Sequence, residues 1–273
     1  MGVVNITPNS FSDGGAFLES QAAIEQARRL AAEGAQIVDL GAEASSFFRP
    51  GVEPVAADVQ WRRLRPVLEG LQDLRSAGVY VSVDTRSAEV ARAAMDAGAD
   101  IINDISAGEH DPAMLPAVAG LGVAMILMHM GPTYPENPAQ DDPDILATVR
   151  DYLAQRVTAA RAAGIEPSRL AVDPGVGFGM TMADNWRLAL GCGEIGSHLG
   201  MPDVLGASRK RFLDTPPTLV PEADWDRLMG SLREGAPHPS DAASAALTAL
   251  AAKAGVAIHR VHNVTLAARA LRM

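Results

Sequence analysis

Asn5, Asp39, Asp84, Asn103, His129, Asp173, Ser208, Arg260 and His262 each stand at or near the end of a short apolar run rich in Val and Ile. A buried run has no reason to end repeatedly in a carboxylate, an amide, a guanidinium or an imidazole, because an unpartnered buried polar group costs about 1 to 3 kcal/mol. Singly, each has a bland reading: Asp and Asn are common where strands turn into loops, and a lone His is more often a satisfied core residue than a catalyst. Together they describe one polar mouth. The scarce aromatics fall the same way. FWY make up 4% of the chain, with six Phe, and Phe11, Phe47, Phe48, Phe178 and Phe212 all follow such runs. Rings around a few fixed polar groups suit a flat, partly apolar ligand. The sequence offers no Ser/His/Asp or Cys/His triad, and Cys192, in a helical segment or at its edge, reads as inert.

The elements that must position these residues alternate strictly. Apolar runs at 2–6, 36–41, 79–84, 100–105, 123–129, 170–174, 202–208 and 256–262 read as strands. Between them lie segments of helical period, including 20–34, 87–98, 144–164 and 240–255, several opening after Ser or Asp and closing at Gly. Parallel strands need crossover helices, and right-handed repetition closes the sheet, so eight such units predict a (β/α)8 TIM barrel in one domain over 1–273. The alternative is a doubly wound open sheet, weakened because no GxGxxG follows the first strand. In a barrel the carboxyl ends of the strands form the mouth where chemistry occurs. Two polar stretches, 131–144 and 214–239, interrupt the rhythm, and the second is expected to hold one short helix.

A length of 273 residues is long for an ordinary domain and typical of one barrel, and 48% hydrophobic residues suffice for its core. The net charge of −10, from 23 basic and 33 acidic side chains, argues against nucleic acid or an anionic membrane as partner. A few local cations could still hold a small anion. One cysteine excludes an intrachain disulfide and a cysteine zinc cluster, as befits a reducing cytoplasm. No signal peptide and no apolar run of about 18 residues is expected, so the chain reads as a soluble cytoplasmic protein.

Eight blocks, MGVVNITPNSFSDGG, GAEASSFFRPG, SVDT, INDI, LMHM, DPGVGFG, GASRK and RVHNV, occupy successive strand ends from one end of the chain to the other. In that order they resemble the dihydropteroate synthase family of folate biosynthesis. The resemblance implies condensation of 6-hydroxymethyl-7,8-dihydropterin pyrophosphate with 4-aminobenzoate, giving 7,8-dihydropteroate and pyrophosphate, with Mg2+ and in a homodimer. It assigns the pterin to Asp84, Asn103, Met128, Asp173, Phe178 and Lys210. A pterin edge carries an amide-like oxygen, ring nitrogens and an amino group, which carboxylates beside an amide can match. Pyrophosphate falls to Asn5, Arg49, Arg260 and His262, with Asn5 also a Mg2+ ligand. Arg260 and His262 alternate along a predicted strand and would share one face, although both could instead be structural. Aminobenzoate falls to Ser45, Phe47, Phe48, Pro50, Phe178 and Ser208, and Asp84, Lys210 and Arg49 are the catalytic candidates.

The reactants suggest an SN1-like path, in which leaving group and cationic pterin are stabilised before the weakly nucleophilic aniline arrives. The chain departs from the family pattern at Asn9, where aspartate is usual although Asp13 is kept, at Met180 in place of lysine, and at Asn263 in place of aspartate. Three extra residues separate Glu43 from Arg49. A lengthened loop with two rings implies reduced sulfonamide sensitivity, since these drugs mimic aminobenzoate but extend farther outward; alternatively the rings pack on the barrel rim or a partner chain. A family paralogue without synthase activity, a pterin-binding methyltransferase domain and a pure binding module are the other functions the sequence leaves open.

Overall fold

The computed structural model describes residues 1–6, 15–43, 54–131, 141–234 and 236–273. They form two compact units, Met1–Leu127 with Arg156–Leu170, and Met128–Gln155 with Ala171–Met273. The first unit runs β1 (Gly2–Asn5), α1 (Gly15–Ala32), β2 (Ile37–Gly41), α2 (Ala57–Glu69), α3 (Gln72–Ser76), β3 (Tyr80–Asp84), α4 (Ala88–Asp96), β4 (Ile101–Asp104) and α5 (Met114–Leu121), and reaches β5 (Ala124–Met128). The strands pair in parallel, in chain order. Val3, Val4, Val38, Leu40, Val81, Val83 and Ile102 are buried on both sheet faces, as expected of strands covered by helices.

Register decides what these strands present. Asn5 pairs with Gly41, Gly41 with Asp84, and Asp84 with Asn103, so the last residues of β1 and β2 and the polar ends of β3 and β4 form one row. Residues two positions earlier, Asp39 and Ser82, share their face. Helix starts are set locally. Ser87 caps α4 by accepting the Val90 N–H at 3.4 Å, and Asp111 accepts the Ala88 N–H at 2.8 Å.

The second unit takes in β6 (Leu170–Asp173), α7 (Met182–Leu199), β7 (Val204–Leu205), α8 (Glu222–Leu232), α9 (Asp241–Lys253), β8 (Ile258–His259) and α10 (Val264–Ala270), while α6 (Ile145–Ala162) contributes to both units. A parallel bridge joins Val172 to Asp203, and β7 pairs in parallel with β8. The eight expected strands are present, those that pair do so in parallel, and the α/β class holds, with α4, α6 and α9 close to their expected bounds and α1 starting five residues earlier than expected. The last two strands are shorter than the 202–208 and 256–262 the sequence suggests. After Leu205 the chain turns at Gly206 into a segment where Arg209 has φ +60°, and after His259 it turns towards the Asn263 cap of α10. The stretch 214–239 holds α8, as expected. Among the described residues no helix is long and apolar enough to cross a membrane.

Phe212 corrects the reading that it faces the mouth. It is 2% exposed and sits edge-on to Trp186, 5.0 Å between centroids, while Trp186 meets Trp225 in the same way at 5.4 Å. These rings are core of the second unit. The Ala-rich α9 packs closely there because its side chains are small: ten of its residues, Asp241 to Ala249 and Ala251, are buried.

Gly193 in α7 lies against the chain just beyond α9, and a Cβ there would collide with the Ala254 carbonyl oxygen. Gly193→Ala should gain about 1 kcal/mol of helix propensity and lose more to overpacking, which typically costs about 1–3 kcal/mol. Gly230 in α8 has nothing within 4 Å of its Cβ position. Urea unfolding should therefore show a lower midpoint for Gly193→Ala and a slightly raised one for Gly230→Ala.

Candidate active site

In the first unit the row of strand ends is organised by a buried carboxylate. Asp39 is fully buried; its Oδ1 accepts the Ser82 hydroxyl at 2.6 Å and its Oδ2 the Asn103 side-chain amide at 3.3 Å. Because a carboxylate only accepts, this bond fixes which end of the Asn103 amide faces Asp39. Gly41 supplies the gap in the row, since a Cβ there would lie 3.8 Å from Asn5 Oδ1 and 4.0 Å from Asp84 Cβ. Asp104, next to Asn103, serves the backbone instead. It accepts the Ser106 and Gly108 N–H groups at 2.8 and 2.7 Å, and burial raises its pKa against those bonds.

Both flanks of the segment 44–53 are tied to one side chain. Glu43 Oε1 accepts the Val55 N–H at 2.7 Å, and its Oε2 lies 3.4 Å from Arg86 Nη2 in a pair only 10% and 12% exposed. Gln60 donates to the Val55 carbonyl at 2.8 Å and accepts the Thr85 hydroxyl at 3.0 Å, which joins this frame to the residue after Asp84. Removing one member of a buried pair leaves an uncompensated charge, so Glu43 and Arg86 depend on each other. Phe11, Ser45, Phe47, Phe48, Arg49 and Pro50, with Asn9 and Asp13, lie outside the described residues.

In the second unit the DPGVGFG segment surrounds two of the candidate side chains, Asp173 and Lys210. Asp173 is 6% exposed; its Oδ1 accepts the Gly175 N–H at 2.7 Å and its carbonyl accepts the His129 N–H at 2.9 Å. Gly175 has φ +71°, and a Cβ there would collide with the His129 carbonyl oxygen, so no other residue fits. Burial pushes the Asp173 carboxyl above its ordinary pKa, opposed by the charge of Lys210, the Gly175 N–H and the charge of Arg260. At Gly206 a Cβ would lie 3.5 Å from Asp173 Oδ2 and 3.8 Å from Arg260 Cδ, which brings these two side chains to one place.

Lys210 sets its Nζ 4.3 Å from the centroid of Phe178 and donates to the Val176 carbonyl. Its stem passes Gly177, where a Cβ would come within 2.6 Å of Cδ. Met128 closes β5 and is buried, whereas His129 lies edge-on to Tyr152 at 5.0 Å. Ser208 Oγ meets His262 twice, at 3.2 Å from its backbone N–H and 3.1 Å from Nδ1. Burial, helped by the charges of Arg209 and Arg260, lowers the His262 pKa to about 4.

Arg260 and His262 do not sit within a strand, because β8 ends at His259, but the Arg260 N–H still bonds to the Leu205 carbonyl at 3.0 Å. Cys192 is buried in α7 and its pKa is pushed well up by burial, which leaves the thiol inert as expected. Among the described residues no cluster of three His, Cys, Asp or Glu could hold a metal alone. Mg2+ sites of the kind that use one or two protein oxygens beside substrate phosphates need no such cluster, and the Asn5 amide oxygen at the gap over Gly41 fits that pattern.

Sequence reasoning missed Glu43 with Arg86, and Asp241 with Arg209. Asp241 lies in the first turn of the 240–255 segment, where an acidic residue is ordinary; the available signal was an arginine inside SRK with no assigned partner.

Parallel βα units whose strand ends carry, in one unit, carboxylates and amides and, in the other, a carboxylate, cations and close-approach glycines define a small-molecule enzyme of the α/β class. The chain belongs to the pterin binding enzyme family, whose profile matches residues 1–262. It is 42% identical over 275 residues to dihydropteroate synthase of Mycobacterium leprae, covering 100% of this chain and 91% of the relative. Among solved structures, it matches Xanthomonas albilineans dihydropteroate synthase with 4-aminobenzoic acid at TM-score 0.80 and 39% identity, covering 99% of this chain and 89% of that one. The Anaplasma phagocytophilum enzyme with bound 6-hydroxymethylpterin-monophosphate matches at TM-score 0.82 and 34% identity, over 99% and 96% of the two chains.

His259, like His262, has its pKa lowered to about 4 by burial. Between pH 4 and the ordinary value of about 6.5 the unfolded chain binds protons that the folded one refuses, so stability should fall as pH is lowered through this window and level off below it. At pH 5 each residue should account for about 1 to 2 kcal/mol. Urea midpoints at pH 7 and 5 check this: His262→Gln should narrow the difference between them, and an unchanged difference would contradict the assignment.

Proposed function

We propose that this chain is a dihydropteroate synthase, joining 6-hydroxymethyl-7,8-dihydropterin pyrophosphate to 4-aminobenzoate with release of pyrophosphate, and that residues 1–273 act as one domain. The observation that carries the reading is Asp173: a buried carboxylate held by the Gly175 N–H, close to Arg260 and under the influence of the Lys210 charge, in a chain of the pterin binding enzyme family. A buried carboxylate of this kind requires N–H donors, and the amino and ring N–H groups of a pterin supply them. We assign the pterin to Asp84, Asn103, Met128, Asp173, Phe178 and Lys210, pyrophosphate to Asn5, Arg49, Arg260 and His262, and aminobenzoate to Phe178, Ser208 and the segment containing Ser45, Phe47, Phe48 and Pro50.

In this mechanism the bond between the pterin methylene and pyrophosphate breaks with the electron pair leaving on oxygen, and the aniline nitrogen then forms the new C–N bond and gives up one of its protons, which the released pyrophosphate or water takes. Arg49, Arg260 and His262 stabilise the departing charge; Asp84 favours the cationic pterin, and Lys210 is held in place by Phe178 and the Val176 carbonyl. Mg2+ would be held by the Asn5 amide oxygen and would neutralise leaving-group oxygens when bound. The reading includes a cytoplasmic homodimer, and it includes reduced sulfonamide sensitivity from the longer loop between Glu43 and Arg49.

The test is pyrophosphate release from the pterin substrate with and without 4-aminobenzoate. Turnover that requires both substrates supports the synthase, whereas pterin affinity without turnover would favour a paralogue that only binds. Asp173→Asn should lower pterin affinity by about 100-fold while circular dichroism stays native, and Arg260→Ala should weaken pyrophosphate binding more than binding of the pterin alone. Deleting Ser46, Phe47 and Phe48 should strengthen sulfamethoxazole inhibition relative to the KM for 4-aminobenzoate; an unchanged ratio removes sulfonamide discrimination from the proposal.

A further inference from the structure

Asp241 opens α9 and is 1% exposed, yet it makes no contribution to the pterin or pyrophosphate assignments above. Its Oδ1 accepts Arg209 Nε at 2.7 Å and its Oδ2 accepts Arg209 Nη2 at 3.1 Å, a bidentate pair. The same Oδ2 accepts the Asn263 side-chain amide at 3.1 Å. Despite its burial, the bonds from Arg209 and Asn263 keep its pKa below the ordinary carboxylate value, so it is an anion at neutral pH.

Each partner adjoins functional side chains. Arg209 stands between Ser208 and Lys210 with φ +60°, a conformation that a residue with a Cβ holds only when its surroundings impose it. Here it is gripped at both ends, by Asp241 on the guanidinium and by Ser244 Oγ on its backbone N–H at 3.0 Å. The turn so fixed sends Ser208 to His262 and Lys210 to Phe178. Asn263 follows His262 directly, and while its amide nitrogen bonds to Asp241 its Oδ1 accepts the Leu266 N–H at 2.9 Å and caps α10.

We propose that Asp241 is a positioning residue for the reaction, one buried anion that locks the Ser208–Lys210 turn and the His262–Asn263 turn into register with each other. Asn263 belongs to the same device. An aspartate at 263 would set a second carboxylate oxygen where Asn263 now donates to Asp241, so in this chain the amide is the partner that the buried anion requires. The inference rests on the synthase reading for its kinetic readout but not for its binding readout.

Three variants test it: Asp241→Asn, Asn263→Asp, and the exchange carrying both, which reverses the carboxylate and amide and keeps one bond between them. Asn263→Asp retains a good N-cap and so a folded α10. Inorganic pyrophosphate affinity by calorimetry and kcat/KM for both substrates should each fall about tenfold or more in either single variant, the scale of a small misplacement of binding groups. The exchange restores a bond between 241 and 263 but turns an amide N–H towards Arg209 Nη2, so it should remain at least as impaired as Asp241→Asn. A merely structural role would lower thermal stability and leave affinity and kcat/KM of the folded enzyme within about twofold, which would overturn the proposal, as would an exchange that regains the parent's affinity without the buried anion at 241. If Asp241→Asn fails to fold, Asn263→Asp decides alone on the same thresholds. If the parent binds pyrophosphate but releases none from its substrates, the synthase reading fails and the calorimetric arm still judges the positioning role.

Discussion

Parallel register is the constraint on which the first unit depends. Side chains alternate faces along a strand, so a slip of one residue in β3 would move Ser82 and Asp84 to the opposite face and strand Asp39 without its hydroxyl donor. An unpartnered buried carboxylate is far more costly than a misplaced apolar residue, and this is what makes the Asp39–Ser82–Asn103 set a register lock as well as a way of aiming an amide. The apolar residues around it permit a stack of strands. The polar triplet selects which stack, and Asn5, Gly41, Asp84 and Asn103 reach one row as a consequence.

In the second unit the strands are short and the work passes to glycines and buried ions. Gly175 lets the backbone approach His129, Gly177 admits the stem of Lys210, and Gly206 leaves room between Asp173 and Arg260. Where a glycine would have allowed the φ +60° turn of SRK at lower strain, the chain places Arg209 and secures it with a carboxylate. That choice exchanges backbone freedom for a fixed link to a second turn, something a glycine could not provide.

Much of this was legible in the sequence because it is local. Alternation of Val- and Ile-rich runs with Ala- and Leu-rich segments gives eight strands and most helix bounds, and Asp or Asn after an apolar run marks a strand end. The lengths of β7 and β8 were not legible, since their limits are set by an αL turn and a helix cap that involve distant partners. Phe212 follows a strand end just as Phe178 does, and only the positions of Trp186 and Trp225 turn it into the core. The pairs Glu43–Arg86 and Arg209–Asp241 are separated by 43 and 32 residues, and nothing in composition or period links such charges before the fold does. The motif blocks contain Glu43, Arg209 and Asn263, while the partners that fix them, Arg86 and Asp241, lie outside every block.

Charge explains why holding matters. A chain with net charge −10 that is to bind an anion must gather its few cations against the average field. Arg209 is neutralised by Asp241, yet its charge and that of Arg260 still help keep His262 neutral, with a pKa near 4. An imidazole in that state offers one N–H and one acceptor, and the Nδ1 contact with Ser208 uses one of the two ring nitrogens. A polyanion arriving beside Arg260 would reverse the local potential and raise the His262 pKa, so binding there would be accompanied by proton uptake and would tighten as pH falls. Burial first, and the nearby cations second, keep the imidazole neutral, so a negative charge brought beside it would be what changes its state. A histidine paired beforehand with a carboxylate would already be charged, and would contribute attraction without that dependence.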